Sequence, residues 1–318
     1  MIIETSGLRK SSTSRAGREK KTVEAVRGVD LQVNEGEIFG FLGPNGAGKT
    51  TTLRMLATLI EPDGGDATIA GADLRKNPGE VRKLIGYVAQ GGSTWDDSTA
   101  REELVLHARM YGISKAEAHK RSAAALEAFQ LSEYADRKCK TYSGGQRRRV
   151  DIALGIIHNP RVVFLDEPTT GLDPQSRAHM WDEVRKLREL GMTVFLTTHY
   201  LDEADALCDR LAIMDHGQIV AEGTPADLKQ EVLGDVVSVA LPQNVAAAAE
   251  LLGSADYVKK LETEDEGIRL YVEDGATAIP HVLRALDAGG VKLTSIELHR
   301  PSLDDVFLAK TGRSLRES

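Results

Sequence analysis

The sequence predicts an α/β fold in which one buried strand runs through a glycine-rich turn into a helix, with a small α+β domain after it. Three observations carry that expectation. First, the apolar run Ile38, Phe39, Phe41 and Leu42 reads as a strand, and Leu53, Leu56, Ala57 and Ile60 soon after it repeat at helical spacing. Second, Val162 to Leu165 is an unbroken apolar run, the mark of a strand buried on both faces of a parallel sheet. Third, from about Asp235 the pattern restarts as strand, helix, strand, strand, helix, strand, the order of a ferredoxin-like domain.

Between the first strand and its helix stands Gly43-Pro44-Asn45-Gly46-Ala47-Gly48-Lys49-Thr50-Thr51. Strand, glycine-rich turn and helix is the context of a P-loop. Gly43, Gly46 and Gly48 let the backbone turn tightly and approach an anion. Their N–H groups and the positive end of the following helix then cradle phosphate. Lys49 reaches the outer phosphates as a point charge, and Thr50 offers a hydroxyl to Mg²⁺.

At 318 residues the chain has room for two domains, and a core of that size buries roughly three-quarters of the unfolded surface. Its 41% apolar and 28% charged residues are those of an ordinary globular protein. A net charge of -8 argues against general nucleic-acid binding. Cys139 and Cys208 lack C-x-x-C spacing and read as reduced thiols. No apolar run approaches the length of a membrane span, and the N-terminus has no apolar secretory core. Any membrane role is expected to come through a partner.

Along the chain, Ile2 to Glu4 and Val29 to Val33 read as strands, and the basic stretch Arg9 to Lys21 between them as a solvated loop. Pro62 to Asp66 is a turn cluster; Ala67 to Ala70 and Leu84 to Ala89 are short strands. Gln90 follows, and Gly91-Gly-Ser-Thr94 reads as a flexible joint. Residues 91–160 are helical in pattern and suggest an inserted subdomain. Thr99 with Glu102 and Ser114 with Glu117 fit capping boxes. Ahead of the last of these helices stands Tyr142-Ser143-Gly144-Gly145-Gln146, a second anion-ready helix start. Arg147, Arg148 and Arg149 follow, either as a charged outer face or as partners of an anion or acidic surface.

The Val162 run ends in Asp166-Glu167-Pro168, two acids where α/β folds place their ligands. Asp166 suits a Mg²⁺ ligand and Glu167 suits orienting or deprotonating a water. Each is also consistent with a strand-end cap. Thr170-Gly-Leu-Asp173-Pro is a turn, Trp181, Val184 and Leu187 mark a helix, and a buried strand ends in Thr197-Thr-His199. Leu211 to Val220 reads as a hairpin, and Gly223 to Asp227 as a linker.

Taken together in this order, these motifs resemble the nucleotide-binding domain of ATP-binding-cassette (ABC) transporters over about residues 1–230. The resemblance implies a P-loop NTPase, an ABC cassette with antiparallel β and helical subdomains (the latter about 91–160), and a domain at 235–310. It implies that Gly43 to Thr51 are Walker A, that Val162 to Glu167 are Walker B with Glu167 catalytic, and that Gln90 contacts Mg²⁺. It further implies that Ser143 to Gln146 are the signature motif, Asp173 the D-loop residue and His199 the switch histidine. The expected cofactors are ATP and Mg²⁺, and the expected working unit is a homodimer sandwiching two ATP molecules beside a separate integral-membrane permease.

Two departures stand out. Tyr142 replaces the Leu usual at the head of the signature. Ser11 or Ser12 occupies the register where the family places an adenine-stacking aromatic, and no Phe, Tyr or Trp precedes Phe39. Arg15 and Arg18 are the candidate replacements. The C-terminal Pro301-Ser-Leu-Asp-Asp-Val-Phe-Leu-Ala309 segment resembles the tail of the daunorubicin/doxorubicin-resistance branch. That resemblance implies a peripheral ATPase subunit of an exporter at the cytoplasmic membrane face, with an uptake ATPase or a soluble ABC ATPase as alternatives.

Overall fold

A computed structural model describes every residue except 17–18, 233, 265–266 and 316–318. The chain divides into two units, Met1–Thr224 and Pro225–Ser318.

The first unit opens with a long antiparallel hairpin, β1 (Ile3–Ala16) and β2 (Glu19–Val33). The basic stretch expected as a loop is therefore strand, paired from Ser11↔Glu24 to Ala16↔Glu19. Its sequence carries no apolar alternation, and its order comes from backbone pairing. The Arg18 candidate lies outside the described residues, as does the Arg15 side chain. Next come β3 (Ile38–Leu42), α1 (Lys49–Leu56), β4 (Gly64–Ile69), β5 (Ala72–Asp73), α2 (Pro78–Leu84) and β6 (Ile85–Val88). Helix α2, with Pro78 at its first turn, was not expected from the pattern; it is short and buries only Val81.

The helical stretch contains α3 (Ala100–Met110), α4 (Lys115–Ala128) and α5 (Gly144–Ile156). Thr99 and Glu102 form the full capping box on α3. Ser114 caps α4, but Glu117 turns to Arg121 instead of closing the box. Beyond them lie β7 (Val162–Asp166), α6 (Pro174–Glu189), β8 (Thr193–Thr198), α7 (Leu201–Leu207), β9 (Arg210–Asp215) and β10 (Gln218–Gly223).

Two sheets organise these elements. The six-stranded sheet runs β10-β9-β3-β8-β7-β6, parallel except for the β9/β10 hairpin. The antiparallel sheet runs β2-β1-β4-β5. β3, β7 and β8 are buried at every position, which is why they read as continuous apolar runs. Phe39, Phe41, Phe164 and Phe195 pack there, with Phe41 and Phe195 rings 5.0 Å apart. Because β3, β6, β7 and β8 are parallel, their carboxyl ends gather on one edge of the sheet. That edge carries the glycine-rich turn, Gln90, Asp166-Glu167 and His199.

The second unit begins with α8 (Pro225–Gln230), where a linker was expected. It continues through β11 (Asp235–Ala240), α9 (Val245–Gly253), β12 (Val258–Glu264), β13 (Gly267–Val272), α10 (Gly275–Ala288), β14 (Ser295–His299) and α11 (Leu303–Thr311). The sheet order β12-β13-β11-β14, antiparallel throughout, is the ferredoxin-like arrangement. It has its own core, in which Val237, Val239, Ile268, Leu270 and Val272 pack with Leu252, Val282 and Leu286.

Candidate functional site

The glycine-rich turn is shaped by contacts that exclude side chains. A Cβ on Gly43 would sit 2.2 Å from the Met214 carbonyl oxygen. Gly48, at φ 106°, would place one 2.4 Å from the Ala25 carbonyl. The backbone there can therefore be adopted only by glycine, and α1 starts directly from it.

Lys49 is buried; its Nζ donates to the carbonyls of Gly43 at 2.6 Å and Pro44 at 2.9 Å and lies 3.8 Å from Glu167 Oε1. Burial pushes the ammonium below the ordinary lysine range, and Glu167 and Asp166 partly offset this. Thr50 Oγ1 donates to Asp166 Oδ1 at 2.9 Å, and Thr197 Oγ1 donates to the same oxygen at 2.7 Å. Asp166 is fully buried, and its Oδ2 has no partner. An unspent carboxylate oxygen beside a hydroxyl is what a hard cation bound mainly by phosphates and water requires of a protein. Among the described residues no cluster of three His, Cys, Asp or Glu side chains could hold a metal without such help.

Glu167 sits at φ 44°, a left-handed conformation that costs a non-glycine residue about 1–3 kcal/mol. Its N–H is held by the Thr197 carbonyl and hydroxyl, both at 3.1 Å. Its Oε2 accepts from Gln90 Nε2 at 2.8 Å and from Thr170 Oγ1 at 3.0 Å. His199 Nδ1 lies 3.3 Å from the same oxygen without hydrogen-bond alignment. The carboxylate is only 7% exposed, so several donors confine it to one position.

A cavity of about 570 Å³ opens at Lys49, Thr50, Gln90 and Glu167, while Asp166 and His199 stand behind its lining. Asn45, Gly46, Gly48, Lys49, Thr50, Thr51, Gln90 and Glu167 line it, together with Ser12, Val23, Arg27 and His216. Of the two serines expected near a base, Ser12 lines the cavity. Val23, Arg27 and His216 were not singled out from sequence; only the glycine at 217 hinted at the turn that brings His216 there. Gly43, Pro44 and Ala47 support the loop from behind: Gly217 N–H bonds the Ala47 carbonyl at 2.9 Å.

Ser143, Gly144, Gly145, Gln146 and Asp173 do not line this cavity. Ser143 and Gln146 form a capping box on α5, and Asp173 caps α6 through Ser176 N–H at 2.9 Å. The two helix starts are neighbours, since a Cβ on Gly145 would touch Ser176. Tyr142 donates to the Tyr134 carbonyl. The three arginines are not a solvated face. Arg148 is buried against backbone carbonyls, Arg147 bonds Thr94, and Arg149 bonds the Phe129 carbonyl. Helical spacing shows that they lie on different faces of α5 but cannot show what packs there.

The ABC transporter family model matches residues 26–170, and the model for the C-terminal domain of DrrA1-3-like ATP-binding proteins matches residues 223–311. The daunorubicin/doxorubicin resistance ATP-binding protein DrrA of Streptomyces peucetius is 45% identical over 98% of this chain and 92% of its own. The chain belongs to the ABC ATPase family. Within it, the doxorubicin resistance ATP-binding protein DrrA of Mycobacterium tuberculosis is 43% identical over 98% of this chain and 94% of its own. Among solved structures, the dimeric post-hydrolysis ATP-binding cassette MJ0796 with ADP and Pi superposes with TM-score 0.62 at 28% identity, covering 70% of this chain and 98% of that one. This ABC ATPase therefore carries a cassette and a DrrA-like C-terminal domain. No helix among its described residues is long and apolar enough to cross a membrane.

Proposed function

We propose that this chain hydrolyses ATP to power a membrane exporter of drugs, antibiotics or lipid-like molecules. It acts at the cytoplasmic face beside a separate integral-membrane permease and does not act on nucleic acid. The observation that carries the reading is the confinement of Glu167, held by Gln90 and Thr170 in the same cavity as Lys49 and the glycine-rich turn. Resistance proteins at 43–45% identity along almost the whole chain support the export assignment.

In this reading the N–H groups of residues 46–51 bind the phosphates of ATP, and Lys49 pairs with the outer ones. Thr50, Asp166 Oδ2 and Gln90 would hold Mg²⁺. When bound there, the ion would supply charge neutralisation for the phosphates. Glu167 orients the attacking water and takes its proton, while His199 bonds the γ-phosphate. Ser143 to Gln146 and Asp173, outside the cavity of their own chain, complete the partner's site in an ATP-sandwich homodimer. The C-terminal domain regulates or stabilises that pairing.

The test is Glu167→Gln. ATP binding should persist while turnover falls roughly 10²–10⁴-fold, the worth of a positioned general base. With ATP the variant should elute as a dimer. Near-normal turnover would reduce Glu167 to a strand-end cap.

A further inference from the structure

Arg148 is an anomaly by ordinary electrostatics. It is a cation near the positive end of α5 and only 7% exposed. A buried charge is seldom kept for stability, because apolar replacements often serve as well. Its partners show what it does instead. Nε donates to the Pro168 carbonyl at 2.8 Å, Nη2 to the Asp166 carbonyl at 3.1 Å, and Nη1 to the Ala89 carbonyl at 2.6 Å. Asp166 and Pro168 flank Glu167, and Ala89 precedes Gln90. One rigid guanidinium plane thus grips the backbone beside both residues of the Gln90–Glu167 hydrogen bond.

Its helix neighbours extend the grip. Asp151 Oδ1 accepts from Ser93 N–H at 2.8 Å, from Ser93 Oγ at 3.2 Å and from Thr94 N–H at 3.2 Å. Arg147 donates to Thr94 Oγ1 at 2.7 Å and to the Thr94 carbonyl at 2.9 Å, and pairs with Asp96. The glycine-rich joint is therefore clamped along its length to α5, the helix that Ser143 caps.

We infer that Arg148 is a positioning residue that sets Gln90 against Glu167 and ties both to the helix beginning at the signature motif. A shift of that helix is thereby transmitted to the carboxylate through one side chain. This inference rests on the proposed role of Glu167. Arg148 bonds backbone carbonyls and does not line the cavity, so its effect is expected on turnover more than on affinity.

The test uses the full-length chain carrying Arg148→Gln and, as the milder change, Arg148→Lys. Both should lower kcat roughly 10–100-fold, the cost of about 1 Å of misplacement, with KM for ATP within about threefold of the parent. Lysine keeps the charge but not the planar fork, so it should not restore the rate. Amide exchange should quicken at residues 89–94 and 166–170 while β3 and β8 keep their protection. Turnover within twofold of the parent, full rescue by lysine, or faster exchange throughout the sheet would each overturn the inference. If Arg148→Gln does not fold, Arg148→Lys carries the same comparison. Normal turnover in Glu167→Gln would instead remove the role of Glu167 and leave the exchange result to judge Arg148.

Discussion

Gln90 Nε2 donates to Glu167 Oε2 at 2.8 Å, joining the ends of two adjacent parallel strands across 77 residues of chain. The bond links a residue at the base of the clamped joint to the carboxylate that Thr170 also holds. It makes Glu167 a shared acceptor, so the state of the joint and the position of the carboxylate are set together.

Lys49 is expected to matter for binding more than for folding. Its two carbonyl contacts are within its own loop, and removing the side chain leaves the backbone turn to glycine geometry. Lys49→Ala should weaken ATP binding at least about a hundredfold, the worth of two charge-assisted contacts at ~1.5 kcal/mol each. Equilibrium titration with Mg²⁺ measures it, and unchanged affinity would take Lys49 out of the phosphate site.

Base preference should be shallow. Besides the glycine-rich turn, Gln90 and Glu167, the cavity offers Ser12, Val23, Glu24, Ala25, Arg27 and His216, and among the described residues no Phe, Tyr or Trp lines it. Stacking on a large aromatic is worth about 1–3 kcal/mol, and a guanidinium or imidazole plane accepts either purine. GTP should therefore compete with ATP to within about tenfold, or 1.4 kcal/mol. Competition binding on the full chain decides this; a hundredfold preference for ATP would mean that another residue reads adenine.

The C-terminal unit has a core of its own, and every residue singled out for nucleotide chemistry lies in the first unit. A chain ending near Thr224 should bind ATP with full-length affinity yet show altered assembly in gel filtration or altered transport. Loss of ATP binding by a well-folded truncation would overturn this division of labour.

His158 should make the cassette acid-sensitive. Its ring stacks on Tyr111 with centroids 3.8 Å apart, Nε2 lies 2.8 Å from the Ile85 carbonyl, and Nδ1 is buried without a partner. Burial, with His107 and Arg121 adding to it, lowers its pKa from 6.5 to about 4. Below pH 6.5 the unfolded chain takes up a proton that the folded chain refuses. Stability is thus full above pH 6.5 and declines down to about pH 4, by up to about 1 kcal/mol per pH unit for a partly exposed ring. Urea midpoints between pH 7 and 4.5 should fall less steeply in His158→Gln. An unchanged slope would assign the acid sensitivity to other groups.

The parallel core, the glycine-rich turn and the element order of the C-terminal domain are legible in the amino-acid pattern alone. Buried strands and tight turns demand particular residue types, such as the Val162 run and Gly43 or Gly48, and those demands are local. The pattern also marked Lys49, Gln90, Asp166, Glu167 and His199, because each stands at the end of such a strand or turn. What those residues touch depends on how the chain folds back on itself. Arg9 to Lys21 pairs by its backbone and carries no apolar alternation in its sequence, so no periodicity announced it. Arg148 and Asp151 found their partners on segments 18 to 59 residues away, and those partners are mostly backbone groups, which every residue possesses. A side chain that bonds to main chain leaves no trace in its partner's identity, and so the clamp on the joint could be seen only once the chain had folded.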